Sequence, residues 1–156
     1  MAGIGRNLKL FAAMDGGKRA LMIEAGVCLL LARLWLMIVP FRKVARHLGT
    51  LTSATGQLAP AARPDRSADA LRAHAIGQAV GRVARNVPFR AVCLQQAVAG
   101  KMMLRRRRID AALHFGVALA QAPGETMEAH AWLDAGSTRV TGYPVEPRFV
   151  EVACFI

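Results

Sequence analysis

The sequence contains three cysteines and four histidines, and one of each stands where nucleophilic chemistry is possible. Cys93 opens the stretch "CLQQAVAGKMMLRRRR", in which Leu94, Ala97, Val98, Met102 and Leu104 recur at helical spacing. A thiol at the first position of a helix faces unpaired backbone N–H groups and the positive end of the macrodipole, and both favour the thiolate. The same amides can hold the oxyanion of an acyl-transfer intermediate. His130 sits in "EAHAWLDAG", an alternating run that reads as the start of a strand. An imidazole projecting from that position can take the thiol proton and pass it to a leaving amine. A third group would orient the ring. Asp134 is too far along the strand, about 13 Å away at the usual rise per residue. Glu146, just past the hairpin, can fold back to reach the imidazole, and a backbone carbonyl or a water would also serve.

These two residues need a helix and a sheet to hold them. Residues 17–39 read as one long helix ended by Pro40, and "PFRKVARHLG" as a second, basic helix with Gly49 as its left-handed stop. The stretch 50–66 is polar, small and proline-containing, a loop crossing the surface. Ser67 and Asp69 are placed to cap a third helix with Ile76, Val80 and Val83 on its apolar stripe, ending before Pro88. After the cysteine helix, 112–120 reads as a strand, "QAPGE" as a turn, and 129–135 with 138–142 as a hairpin. Residues 148–155 form a last strand that alternates Phe149, Glu151, Ala153 and Phe155. Helices followed by an antiparallel sheet make an α+β chain. We expect one domain over 1–156, with a helical part at 1–86 and the cysteine helix plus sheet at 87–156.

Composition narrows the function classes. With 156 residues and 54% hydrophobic content the chain can build a core, which excludes disorder as its main state. A net charge of +11 attracts polyanions, acidic peptides or anionic lipid without choosing among them. The run Arg105–Arg108 closes the predicted cysteine helix, where cations offset the dipole, and no aromatic-basic interleaving suggests base stacking. A nucleic-acid partner is therefore not expected. Cys28, Cys93 and Cys154 are widely spaced and contain no CxxC pair, which argues against a disulfide framework or a zinc site and fits a cytoplasmic protein. No signal peptide is visible. With neither an HExxH spacing nor a glycine-rich phosphate loop, no metal or other cofactor is expected. Cys28 reads as a core residue, His47 and His74 as solvated, and His114 as packed on the sheet. Cys154 has no assigned role. The segment 20–40 is apolar but interrupted by Glu24 and Arg33, so it reads as a largely buried helix rather than a span.

A helix-start cysteine paired with a strand-start histidine gives a papain-like arrangement. Beyond that, "VPFRAVCLQQAVAGKMMLRRRRIDAALHFGV", followed by "HAWLDAGSTRVTG" and preceded by "LWLMIVPFRKVARHLG", resembles the leader peptidases of lasso-peptide biosynthesis. The resemblance implies a papain/transglutaminase-like core, with Cys93 as nucleophile and His130 as general base and acid. It implies removal of the leader from a ribosomally made precursor, after which an asparagine-synthetase-like partner cyclase closes the macrolactam. The family usually carries an acidic residue on the strand after the histidine strand; here that place reads Thr141, Gly142 and Tyr143. The residues before Cys93 are taken up by helices, so we expect leader recognition from a separate partner protein. The rival reading is a non-catalytic, basic assembly subunit on nucleic acid or membrane. Peripheral membrane contact through the 20–39 and 41–47 helices is also compatible with the peptidase reading.

Overall fold

The structure, a computed structural model, describes residues 15–53, 67–118 and 126–156. Asp15 starts the first helix by accepting a hydrogen bond from the Gly17 amide at 3.1 Å, and α1 then runs Gly16–Ile38. It stops at Val39, which is extended because a residue before proline avoids the helical region. Pro40 caps α2 (Phe41–Leu48), and Gly49 ends it at φ 124°, ψ −164°. That conformation suits glycine but is not the left-handed stop expected. The third helix, α3, spans Ser67–Ala84, and the cysteine helix, α4, spans Cys93–Arg106.

Helix α1 buries Ala25, Cys28, Leu29 and Ala32, a spacing of three and four that makes one face. Three of the four side chains are small, so α3 and α4 can pack closely against it. The two charges in its apolar stretch both have partners. Arg107 donates to Glu24 at 2.9 and 2.6 Å, and the Arg33 guanidinium lies 4.9 Å over the Phe89 ring. The Arg107 hydrogen bond, working against burial, holds the Glu24 carboxyl below its ordinary range. By length and composition alone α1 could cross a membrane. The helix is not the largely buried one expected: beyond the one packed face, its outer face exposes Ile23, Val27, Leu30, Leu31, Leu34 and Met37.

Five strands form one antiparallel sheet in the order β1-β5-β2-β3-β4: β1 Leu51–Ser53, β2 Ala112–Ala118, β3 Glu128–Ala135, β4 Thr138–Thr141 and β5 Val150–Phe155. The α+β architecture with N-terminal helices is as expected. Strand β1 is not, since 50–66 reads as loop throughout. Three residues carry no period of their own, and β1 owes its form to pairing with β5. Residues 54–66, and the expected turn at 121–125, lie outside the described residues. Leu113 pairs with Leu133 and with Phe155, and these side chains join Ala131, Val98, Met103 and Leu104 in the core under the helices. Strand alternation then puts His114, Trp132 and His130 on the opposite face of the sheet.

The last strand departs from its expected alternation. Phe115 pairs with Ala153, yet Gly116 pairs with Glu151, so Val152 is an extra residue at a bulge. The resulting shift of one residue takes Glu151 off the face of Ala153 and Phe155 and turns it toward that of Cys154.

Candidate active site

Cys93 is the first residue of α4, and its thiol is partly exposed. The N-cap, Val92, has no side-chain acceptor, so the first-turn amides are not capped by it. The segment leading in is fixed at two points. Gln96 Nε2 donates to the Ala91 carbonyl at 2.8 Å, and Phe89 lies under Arg33.

Helix α4 and strand β3 run in the same direction. A Cβ at Gly100 would lie 2.8 Å from the Leu133 side chain, so helix and strand touch there. The far end of α4 leads through residues 107–111 into β2, whose first residue, Ala112, pairs with Asp134. From the Gly100–Leu133 contact, Cys93 is seven residues back along a helix and His130 three residues back along a strand. Each step is about 10 Å in the same direction. By this estimate the two backbones lie toward one end of the sheet, while the His130 side chain is on the face away from α4. Among the described residues, no hydrogen bond joins Cys93 Sγ to the His130 ring.

His130 is nonetheless oriented. Its Nε2 lies 2.7 Å from the Gly142 carbonyl, and its ring packs beside Phe149 and Trp132, with centroids 5.2 and 6.1 Å away. A carbonyl only accepts, so Nε2 carries the proton, and in the neutral ring Nδ1 is left with a free lone pair. Gly142 occupies the place where an acidic residue was expected from the resemblance. Its φ is 82°, and a Cβ there would lie 2.8 Å from Trp132 Cα and collide with the Ala131 carbonyl. In this backbone no carboxylate side chain fits at 142. Glu146 accepts from Arg148 Nε at 2.7 Å, and Arg148 also reaches Glu128 at 2.7 Å. Two buried polar atoms lack partners among the described residues: Gln95 Oε1, two residues past Cys93, and Thr141 Oγ1, beside Gly142. In the sequence nothing distinguishes Gln95 from its neighbour Gln96, so its burial is not legible there.

The arginine run has structural uses. Arg106 and Arg107 pair with Glu24, and Arg105 reaches the His47 carbonyl at 3.4 Å. Arg46, Lys101, Arg105 and Arg108 line a cleft of about 420 Å³ at the end of α4 opposite Cys93. Lys101 donates to the Ala111 and Phe155 carbonyls at 3.0 and 2.7 Å, and burial pushes its ammonium down to about 8.

A second constellation occupies the back of the sheet. His114 Nδ1 lies 2.9 Å from Glu151 Oε1, His114 Nε2 lies 3.5 Å from Asp134 Oδ2, and Cys154 is adjacent. Burial opposes the imidazolium here, but hydrogen bonds to Cys154 and Glu151 raise His114 to about 9. Asp134, raised by burial, accepts the Tyr143 hydroxyl at 2.7 and 2.8 Å.

An α+β chain with a cysteine heading a helix that packs on an antiparallel sheet has the build of a transglutaminase-like enzyme. The family model described as "Transglutaminase-like superfamily" matches residues 35–153, and the chain belongs to that superfamily. Its members are typically cysteine proteases or acyltransferases. Comparison with curated proteins and with solved structures gave no significant match.

Proposed function

We propose that this chain is a cysteine peptidase that removes the leader from a ribosomally made lasso-peptide precursor. The observation that carries the reading is the placement of Cys93 at the head of α4, at the sheet end where His130 is held by the Gly142 carbonyl. The imidazole shares the face of Trp132, opposite the face on which α4 packs, so in this reading the thiol reaches the ring around the first residues of β3. His130 Nδ1 takes the Cys93 proton as Sγ attacks the scissile carbonyl, and the first-turn amides of α4 hold the oxyanion. The imidazolium gives its proton to the leaving amine, leaving a thioester on Cys93. Water, deprotonated by His130, then hydrolyses the thioester and regenerates the thiol. A carbonyl at Gly142 orients the ring as an acidic residue would, but with less charge to stabilise the imidazolium. The cost falls on rate rather than on mechanism.

The precursor leader is the substrate, a separate recognition protein presents it, and an asparagine-synthetase-like cyclase acts on the product. The exposed apolar row of α1 supports docking of a protein partner. To test the reading, wild type and Cys93→Ala are incubated with a candidate precursor and its recognition protein, and products are read by mass spectrometry. Leader release by wild type alone is expected. Equal release by both would end the assignment.

A further inference from the structure

We propose that His114, Glu151 and Cys154 form a site for a divalent transition-metal ion of the zinc type on the back of the sheet, with Asp134 and Tyr143 holding the histidine. The donor set is an imidazole nitrogen, a carboxylate oxygen and a thiolate, which suits zinc better than a hard, oxygen-seeking ion. The three donor atoms all lie within 4.8 Å of one another. A tetrahedral centre with bonds of about 2.0–2.3 Å needs donors roughly 3.3–3.8 Å apart, so small rotations of these side chains suffice.

Topology points the same way. His114 and Cys154 are direct partners across β2 and β5. Glu151 reaches them only through the bulge at Val152, since a regular strand would turn it to the other face. Bulges that re-aim a side chain recur beside functional sites. A histidine–glutamate ion pair alone would need the bulge but not a thiol beside it, and Cys154, 5% exposed, lies there.

The remaining contacts fix the ring in advance. With Nδ1 toward the ion, Nε2–H faces Asp134, which Tyr143 in turn holds. A carboxylate behind a ligating histidine is the usual support for such a site. Trp132 stacks on the imidazole at 5.4 Å with an interplanar angle of 6°. Binding replaces waters of the hydrated ion with metal–sulfur, metal–nitrogen and metal–oxygen bonds, and sends those waters, the Cys154 thiol proton and the Nδ1 proton to solvent, with no change of oxidation state. Three protein ligands leave a fourth position for water or another donor.

Cobalt(II) titrated into the full chain, read by thiolate-to-cobalt charge-transfer absorption and bleached by Zn²⁺, tests the proposal. One equivalent should bind to wild type, and the band should persist in Cys93→Ala and Cys28→Ser. It should vanish in Cys154→Ser and in His114→Gln, with circular dichroism confirming that each variant is folded. Asp134→Asn should weaken binding by about tenfold to a hundredfold. Absence of the band in wild type, its survival in folded Cys154→Ser, or unchanged affinity in Asp134→Asn would each overturn the proposal.

Discussion

Two cysteine–histidine sets share this molecule, and Trp132 lies beside both imidazoles, 5.4 Å from His114 and 6.1 Å from His130. They differ in nearly every respect that decides reactivity. Cys93 is partly exposed at a helix start, and its proposed partner His130 rests on a carbonyl with Nδ1 uncommitted. Cys154 is buried in the last strand, and His114 is gripped by Glu151 on one nitrogen with Asp134 near the other. A nucleophile needs access for substrate and a base with a lone pair to offer. A clamp needs the opposite: closed surroundings and every donor engaged. By these criteria the first set suits the proposed acyl transfer and the second the proposed metal site.

The sharpest break between the two sets is predicted for activity. Cys93→Ala should lower leader cleavage by at least about a thousandfold, as removal of a nucleophile does, while Cys154→Ser leaves the rate within a few-fold. The reverse pattern would exchange the roles of the two sets. Leu133→Ala strikes the element that both share. It empties a fully buried site against Gly100 and should cost about 2–5 kcal/mol in denaturant melts. Gly142→Ala acts most directly on the first set. A Cβ at φ 82° is strained and collides with the Ala131 carbonyl, so the His130 acceptor must move. We expect a loss of about 1–3 kcal/mol in stability and a further fall in kcat.

Glu24→Gln lies outside both sets and gauges the helical scaffold. It should cost about 1.5–3 kcal/mol at neutral pH, the worth of hydrogen bonds to a charged group. The folded carboxyl titrates below its ordinary value near 4.5, so its stabilisation is complete above that value and is lost as pH falls through the depressed one. The variant should lack that part of the acid limb in a pH series of thermal melts. The smallest effect is expected for Glu146→Gln. Its ion pair with Arg148 is exposed, worth about 0–1 kcal/mol, and no hydrogen bond runs from it to His130. A tenfold drop in kcat would restore Glu146 as the orienting carboxylate.

Much of the fold was legible because it rests on local signals. Pro40 and Pro88 marked helix limits, and the spacing of Leu94, Ala97, Val98 and Met102 gave α4 its length. Alternation around Trp132 gave the hairpin. Strand β1 and the bulge at Val152 were not legible, since each is set by a partner strand distant in sequence. The bulge also hid the His114–Glu151–Cys154 cluster, because strict alternation sends Glu151 to the wrong face. The candidate pair was readable as residue types at element starts. The Gly142 carbonyl was not, because a backbone acceptor leaves no mark on the residue that carries it.

Site-resolved alkylation by iodoacetamide at mildly acidic pH, read by mass spectrometry in wild type and His130→Asn, tests the central pairing without any substrate. Cys93 should react at least about tenfold faster in wild type than in the variant, while Cys154 behaves alike in both. Equal rates at Cys93 would mean that the imidazole of His130 never receives its proton.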